Sequence, residues 1–325
     1  MPIAVTGSVA TDHLMSFPGR FADSLVVDQL DKIALSFLVD DLQVRRGGCA
    51  ANIAFGLGAL GSDPVLVAAV GEDFADYRSW LERHRVDCGS LHYSQTRHTA
   101  RFICTTDASH AQIASFYAGA MSEARGIELR PVADRVGGFD FVVIAPNDPE
   151  AMLRHTQECR DRGYPFAADP SQQLAWSDGP TIRRLVEGAA VLLSNEYEAA
   201  LTEQKTGWTT ADILDRVAIR VVTLGPDGVR VERRDREPIV VAAVPGVTAL
   251  EPTGVGDAFR AGFIGALASG LRLRCAAQIG CVLAAYVVER VGTQEYSFTS
   301  GEFLSRLSGA YGEQAASEAG TWLLE

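Results

Sequence analysis

Lysine is almost missing from this sequence: Lys32 and Lys205 are the only two among 325 residues. The chain also has no GxxxxGK[ST] motif, which excludes a P-loop with a phosphate-binding lysine. Lysine and arginine together number 29 against 41 aspartates and glutamates, and the net charge is −12. This negative balance argues against a nucleic-acid-binding surface or an anionic-membrane surface, so neither partner is expected.

Metal-binding and disulfide patterns are missing as well. The six cysteines include no CxxC pair, and the six histidines form no HExxH motif, so neither a structural zinc site nor a disulfide framework is predicted. The longest apolar run, residues 281–288, is far shorter than the ~20 residues that cross a membrane. The N-terminal stretch MPIAVTGSVATD lacks the basic region of a signal peptide. We therefore expect a cytoplasmic location.

The sequence does contain a regular alternation of short apolar runs and helical patterns. Runs such as FDFVVIAP and AAVLLSN end at Pro, Gly or Asn, and segments such as PEAMLRHTQECRDRG and TIRRLVEGA lie between them. The alternation predicts βαβ units, and therefore an α/β fold with a mainly parallel sheet and helices on both faces.

Two segments break that alternation. Residues 13–45 contain DKIALSFLVDDLQV, which predicts a strand without a following helix, and residues 98–117 contain two β-like runs joined by a polar turn. We interpret both as antiparallel strands of a small sheet that forms a lid over a ligand site. The alternative is a pair of hairpin insertions that bind nothing. The large domain then comprises residues 1–12, 46–97 and 118–325.

Two glycine-rich stretches have different interpretations. GLGALG at 56–61 matches the GxGxxG dinucleotide fingerprint, but its glycines end a helical pattern and a strand follows, the reverse of the order that the fingerprint needs. TGVGD at 253–257 comes directly before the helical pattern DAFRAGFIGALASG. Free N–H groups at a helix N-terminus bind anions, and Gly254 and Gly256 leave those groups accessible.

Asp257, at the end of TGVGD, fits either a helix N-cap or a catalytic base. A carboxylate beside an anion site repels the anion unless it has a chemical role. Accepting a proton from an attacking hydroxyl is such a role, and phosphoryl transfer needs an anion cradle and a positioned base together. This reasoning favours a phosphotransferase.

Other polar residues are candidate ligands as well. Asp12, Asn195 and Thr223 lie at the ends of predicted strands, where ligands gather in open α/β sheets, and Asn52 lies one turn into the helix predicted after the glycines of GGCAAN. Asp12 and Asn52 are candidate ligands of a polyol, and each is also an ordinary cap or surface residue. Asn195 and Glu198 share a helical face and suit a hydrated Mg²⁺, or a simple helix cap. Thr223, before a glycine turn, suits the phosphate or ribose of a nucleotide, although the same turn is typical of a hairpin.

Taken in order, GGCAANIAFGLGALG with VAAVGED, then NEYE, then EPTGVGDAFRAGF resemble the signatures of the ribokinase-like (PfkB) carbohydrate kinases over essentially the full length. The resemblance implies a ribokinase-like three-layer sandwich with a mainly parallel central sheet and a small β-sheet lid. Four stretches are most similar to the actinobacterial type of adenosine kinase: IAVTGSVATDHL, SFYAGAMSEAR, DPSQQLA and EPTGVGDAFRAGF. The implied reaction is the ATP-dependent phosphorylation of the adenosine 5′-hydroxyl to give AMP, a step of purine salvage.

The resemblance also implies roles for individual residues. Asp257 would be the general base, and the backbone amides of Gly254, Val255 and Gly256 would hold the transferred phosphate. The nucleoside would contact Ser8, Asp12, Ser36, Gly48, Asn52, Phe102, Phe116, Gln172 and Gln173, with the two phenylalanines on either side of the base. ATP would contact Asn195, Thr223, Gly225 and Gly228, and Mg²⁺ would bind through Asn195 and Glu198.

Several points stay open at this level. The second signature usually begins with Asp at a loop that binds a monovalent cation in many relatives, and Glu251 stands there, so a requirement for K⁺ is undecided. The aromatic pair is equally compatible with packing inside the lid. Ribose, a fructose derivative or another purine nucleoside are alternative acceptors, and a non-catalytic nucleoside sensor is a further alternative. Exposed lid strands also predict a homodimer.

Overall fold

A computed structural model describes residues 2–25 and 35–323. Its strands are β1 (Ile3–Thr6), β2 (Ala10–Ser16), β3 (Asp41–Gly47), β4 (Val65–Val67), β5 (Ala69–Val70), β6 (His92–Tyr93), β7 (Ala100–Thr106), β8 (Gln112–Tyr117), β9 (Phe141–Ile144), β10 (Phe166–Ala168), β11 (Val191–Asn195), β12 (Ile219–Thr223), β13 (Val229–Glu232) and β14 (Ile239–Val241). Its helices are α1 (Phe21–Ser24), α2 (Cys49–Ala59), α3 (Ala75–Arg83), α4 (Leu129–Val136), α5 (Pro149–Arg162), α6 (Gly179–Val186), α7 (Glu196–Thr206), α8 (Thr210–Leu214), α9 (Val255–Ala268), α10 (Leu273–Val288), α11 (Ser300–Tyr311) and α12 (Glu313–Leu323).

Within the described residues, the large sheet has eight strands in the order β14-β13-β12-β11-β10-β9-β1-β4. The pairs from β4 to β12 are parallel, and β13 and β14 extend one edge in antiparallel pairing. The α/β fold with a mainly parallel sheet is therefore as predicted, and the antiparallel edge is an addition to it.

Apolar strands lie at the centre because both faces of the sheet are covered. On β9, Val142 packs into the core with α4, α5 and α6, while its neighbour Val143 packs into the core with α2, α9 and α10. Local signals set the helix ends: the Asp148 side chain accepts from the N–H groups of Glu150 and Ala151 at the start of α5, and Gly163 ends that helix in the left-handed conformation. No helix in the described part of the chain could cross a membrane.

The described residues also form a second sheet of four strands, in the order β3-β2-β7-β8. The smaller sheet was predicted, but its central pair, β2 with β7, is parallel rather than antiparallel. These two strands come from distant segments, so no hairpin turn sets their direction. Residues 10–12 and 46–47, which the predicted division put in the large domain, lie in strands of this smaller sheet.

The strand predicted across DKIALSFLVDDLQV is shorter in the structure. Residues 31–34 lie outside the described residues, residues 35–40 are not in a strand, and β3 begins at Asp41. Phe37 packs instead against the rings of Phe17 and Phe21, with centroids 4.9 and 5.3 Å away. Phe37 of this segment thus joins a local aromatic cluster, which the β-like pattern did not reveal.

Candidate active site

The stretch TGVGD forms the N-terminus of α9, as the sequence predicts. Gly254 caps the helix with φ +78°, in the left-handed region, and a Cβ there would come 2.9 Å from the Thr293 side chain. Glycine is needed on both counts. The turn places Asp257 in the first turn of the helix, while the Val255 N–H makes a long hydrogen bond of 3.4 Å to the Pro252 carbonyl.

Asp257 is held from the opposite side by Asn52 of α2, whose Nδ2 donates to Asp257 Oδ2 at 2.9 Å. Burial raises the pKa of the Asp257 carboxyl above its ordinary value, while the charge of Arg260 and the Asn52 hydrogen bond lower it. The net shift is upward. The carboxyl is therefore a stronger base than an exposed aspartate, which suits a proton acceptor.

Arg260 and Asp169 form a buried ion pair below Asp257. Arg260 Nη2 donates to Asp169 Oδ1 at 2.7 Å, and Arg260 Nε lies 2.6 Å from Asp169 Oδ2. The two residues are 7% and 1% exposed, and burial raises the pKa of Asp169 to about 6. Neither residue was singled out from the sequence, although an arginine inside the apolar helix pattern of α9 was a visible signal. A Cβ on Gly256 would come 2.6 Å from Arg260 Nη1, so a side chain there would displace the end of the guanidinium.

Two cavities meet at the start of α9. One, of about 510 Å³, lies between the smaller sheet and α2, and the other, of about 650 Å³, lies between α9, α10 and the β12–β13 turn. Both are lined by Cys49, Gln172, Gly254 and Asp257. We call the first the acceptor cavity and the second the nucleotide cavity. Two ligands in these cavities would face each other across Asp257.

Strand register brings the candidate residues of the smaller sheet into one row. Arg45, Asp12, Phe102 and Phe116 are directly opposite one another on neighbouring strands, and opposite residues share a face. The last three of them line the acceptor cavity. Phe116 is 53% exposed, and burial raises the pKa of Asp12 to about 6.

Other residues predicted to bind the nucleoside differ in their surroundings. Ser8, Gly48, Gln172 and Gln173 line the acceptor cavity. The Ser8 hydroxyl accepts from the Cys49 N–H at 3.0 Å and Gln173 donates to the Asn147 carbonyl at 2.9 Å, so both have internal partners. Ser36 is exposed and is not part of the cavity wall. Met121, Trp176 and Thr293, which the sequence did not indicate, also line this cavity.

Asn195 and Glu198 form a capping box at the start of α7. Asn195 Oδ1 accepts from the Glu198 N–H and Glu198 Oε2 accepts from the Asn195 N–H, both at 2.8 Å. The helix-cap interpretation of NEYE is therefore realised, yet both residues also line the nucleotide cavity. The described residues contain no cluster of three His, Cys, Asp or Glu side chains that could hold a metal. One carboxylate and one amide fit only an ion that keeps most of its water, as Mg²⁺ does.

The turn after β12 is a hairpin turn, one of the two interpretations of TLGPDGV, and its residues also line a cavity. β12 and β13 pair as an antiparallel hairpin, and the residues at this turn that line the nucleotide cavity are Thr223, Gly225, Pro226 and Gly228. Gly228 has φ +102°, and a Cβ there would come 2.1 Å from the Val241 carbonyl oxygen. Because Gly228 has no Cβ, the turn can pack directly against β14, and no side chain at this position fills the cavity.

Glu251, the unusual first residue of the second signature, binds an internal cation. Its Oε2 accepts from Arg45 Nη1 at 3.0 Å and from the Gly292 N–H at 2.9 Å. Arg45 is on β3 of the smaller sheet, so this ion pair joins that sheet to the loop before α9. The pattern of the sequence gave no sign of the pairing, because 206 positions separate the two residues.

Comparison with known proteins decides the family. The model of the pfkB family of carbohydrate kinases matches residues 10–299. This chain belongs to that family. The fold of this PfkB kinase is ribokinase-like: a structure of the Burkholderia thailandensis nucleoside kinase in complex with inosine superposes with a TM-score of 0.82 at 32% identity, covering 95% of this chain and 98% of that one.

Curated relatives of this PfkB kinase include nucleoside kinases. The nucleoside kinase of Methanocaldococcus jannaschii is 30% identical over 310 residues, which cover 94% of this chain and 96% of the relative. The adenosine kinase of Saccharomyces cerevisiae is 24% identical over 87% of this chain and 91% of its own length. The chain is therefore a nucleoside or sugar kinase of the ribokinase family.

Proposed function

We propose that this chain transfers the γ-phosphoryl group of ATP to the 5′-hydroxyl of a purine nucleoside, with adenosine as the acceptor and AMP and ADP as products. One observation carries the proposal: two cavities meet at Asp257 and at the N-terminus of α9. A base and an anion-binding helix end between two ligand cavities are what a phosphoryl transfer requires.

In this proposal Asp257 accepts the proton of the 5′-hydroxyl while the hydroxyl oxygen bonds to the γ-phosphorus. The bond from that phosphorus to the oxygen of ADP breaks, and ADP leaves through the nucleotide cavity. The amides of Gly254, Val255 and Gly256 stabilise the negative charge of the phosphoryl group. Asp12, Gly48 and Asn52 bind the ribose hydroxyls.

A nucleoside is favoured over a free sugar by the aromatic side chains at the acceptor cavity. Phe102 and Phe116 lie in one row with Asp12, and a base stacked on such rings gains about 1–3 kcal/mol. Trp176 adds an exposed aromatic ring to the same wall. Inosine is the second candidate acceptor, because the B. thailandensis nucleoside kinase, at 32% identity, has a structure with inosine.

We also propose that ATP is bound with Mg²⁺, which Glu198 and Asn195 would hold through water and which neutralises phosphate charge when bound. Thr223, Gly225 and Gly228 contact the nucleotide. Because the Glu251 carboxylate already binds Arg45, we propose that this kinase does not require a monovalent cation.

We also propose a cytoplasmic location. The six cysteines, all within the described residues, are free thiols, and free thiols are typical of proteins in a reducing compartment.

An acceptor panel tests this function. ADP release from Mg²⁺-ATP is measured with adenosine, inosine, guanosine, ribose and fructose, each in K⁺ and in Na⁺ at equal ionic strength. We expect turnover at low concentrations of adenosine, weaker turnover with inosine, none with the free sugars, and no difference between the two cations. Turnover with ribose or fructose alone would refute the nucleoside assignment, and turnover in K⁺ alone would refute the role given to Arg45.

We propose in addition that the outer face of the smaller sheet forms a homodimer. Leu42, Val44, Ile113 and Tyr117 share the face opposite Asp12 and are between 43% and 57% exposed, and an apolar patch of this kind marks an interaction surface. We expect a dimer in sedimentation velocity and a monomer for Val44→Asp. The control is Val240→Asp, an equally exposed position on β14, which should remain dimeric; a monomeric wild type contradicts the proposal.

A further inference from the structure

Four side chains from separate elements form a continuous chain of hydrogen bonds that ends on Asp257. Trp80 of α3 donates from Nε1 to Gln294 Oε1 at 3.0 Å. Gln294 Nε2 donates to Asn52 Oδ1 at 2.9 Å, and Asn52 Nδ2 donates to Asp257 Oδ2 at 2.9 Å. Trp80 and Gln294 lie outside the walls of both cavities, so neither is placed to contact a ligand there.

The direction of this chain is fixed at its far end. An indole N–H donates and cannot accept, so the Gln294 carboxamide turns its oxygen toward Trp80 and its NH₂ group toward Asn52. The Asn52 oxygen must then accept, and the Asn52 NH₂ group faces Asp257. A flipped Asn52 would set its amide oxygen against the Asp257 carboxylate.

Neighbouring polar groups hold the same arrangement. Thr293 Oγ1 lies 2.9 Å from both Asn52 Oδ1 and the Arg46 carbonyl oxygen, so its one hydroxyl proton is shared between these two acceptors. Gln294 Nε2 also donates to Tyr77 Oη at 2.6 Å, and Tyr77 donates to the Gly47 carbonyl at 3.0 Å. Gln294 is only 1% exposed, and its oxygen and nitrogen both have partners. A buried network with satisfied members is rigid, whereas a broken one is costly.

We propose that Gln294 is a positioning residue for the general base. Through Asn52 it fixes the orientation of the Asp257 side chain, whose Oδ2 accepts from Asn52. Gln294 itself touches no reacting atom. The inference rests on the proposed phosphoryl transfer, but the state of the Asp257 carboxyl can be measured without turnover.

Several other ionisable groups act on Asp257, and each is unchanged in the variants below. Arg260 lies on the same helix, and the remaining ones are Cys49 on α2, Glu198 on α7, Asp169 after β10 and Tyr296 after α10. Because Asn52 contributes a hydrogen bond that lowers the pKa of Asp257, loss of that bond raises the pKa. The ionised carboxylate is the active base, so its raised pKa shifts the acid limb of the pH–rate profile to higher pH.

Gln294→Met removes the carboxamide while keeping a side chain of similar length. We expect kcat to fall by about 10-fold or more, the size of one lost hydrogen bond in the transition state. The KM for ATP should stay at wild-type level, because neither Gln294 nor Asn52 lines the nucleotide cavity, and the acid limb should move to higher pH. A rise in the KM values for ATP and adenosine with an unchanged kcat would indicate a merely structural residue and overturn the proposal.

Trp80→Phe is the milder second variant, since it removes only the N–H donor at the far end and keeps an aromatic ring against Phe55. It should change kcat and the acid limb in the same direction as Gln294→Met, by less. Trp208→Phe makes the same substitution on a part of the chain away from both cavities, where the indole packs against Arg216. This control should match wild-type kcat and KM.

The carboxyl carbon of Asp257, observed by ¹³C NMR and assigned with Asp257→Asn, reports its pKa in the absence of any acceptor. We expect a higher pKa in folded Gln294→Met and Trp80→Phe than in wild type. Unchanged titration in both variants overturns the inference whether or not the protein phosphorylates a nucleoside. A wild type that turns over no acceptor refutes the proposed function alone, and the titration still decides the role of Gln294.

Discussion

Asp257→Asn should lower kcat by about 10²- to 10⁴-fold, the usual cost of losing a general base. The substitution keeps the shape of the side chain and leaves an oxygen to accept from Asn52, but the amide cannot take the proton of the acceptor hydroxyl. Binding of ATP and nucleoside should change little, because the cavity walls are unaltered. Steady-state kinetics with adenosine and Mg²⁺-ATP measure the effect.

Asp63→Asn is the matched control for that variant. Asp63 lies on the surface after α2, where it pairs with Arg85, and the same chemical change there should leave kcat intact. The acid side of the wild-type pH–rate profile gives a second readout. The raised pKa of Asp257 predicts that activity is lost at a higher pH than an ordinary aspartate would give. Near-wild-type turnover of Asp257→Asn would remove the assignment of this residue as the base.

Arg260→Met should destabilise the protein by about 3–5 kcal/mol, because it leaves the Asp169 carboxylate buried without its partner. Asp169 is 1% exposed, and the guanidinium is the only cation paired with it among the described residues. The free energy of unfolding from urea titration, at constant pH, measures the loss. The substitution keeps most of the apolar length of the side chain, so little packing is lost with the charge.

The double variant Asp169→Asn/Arg260→Met separates charge from packing. Removing both charges should recover much of the lost stability, since the penalty of the single variant comes mainly from the uncompensated carboxylate. Arg154→Met, at a solvent-exposed ion pair with Glu128, should cost far less than Arg260→Met. Equal losses in the single and double variants would show that Arg260 stabilises the fold through its contacts rather than its charge.

Much of the fold could be predicted from local patterns. The apolar runs that became β9 to β12 and the periodic segments that became α5 and α6 were identifiable, because burial on both faces demands continuous apolar strands. The start of α9 was also predictable, since TGVGD contains the glycine that its left-handed cap requires. Strand direction in the smaller sheet was not, because β2 and β7 are joined by no local turn.

The sequence predicted which residues belong to the candidate site, but not how those residues contact one another. The sequence indicated Asp257, Asn52, Asp12 and the NEYE motif as separate features. It gave no sign that Asn52 donates to Asp257 or that Arg45 binds Glu251. Ser36, predicted as a nucleoside contact, lies apart from the cavity wall.

The sequence by itself determined the alternation of strands and helices, the family resemblance, and the positions of a helix-end glycine motif and its aspartate. Only the tertiary structure decided which groups surround that aspartate, because its partners are far away along the chain: Asn52 is 205 positions from Asp257, and Gln294 is 242 positions from Asn52. Local residue types set backbone conformation over a few positions. Hydrogen-bond direction and pKa depend on which groups the packed fold brings within about 3 Å.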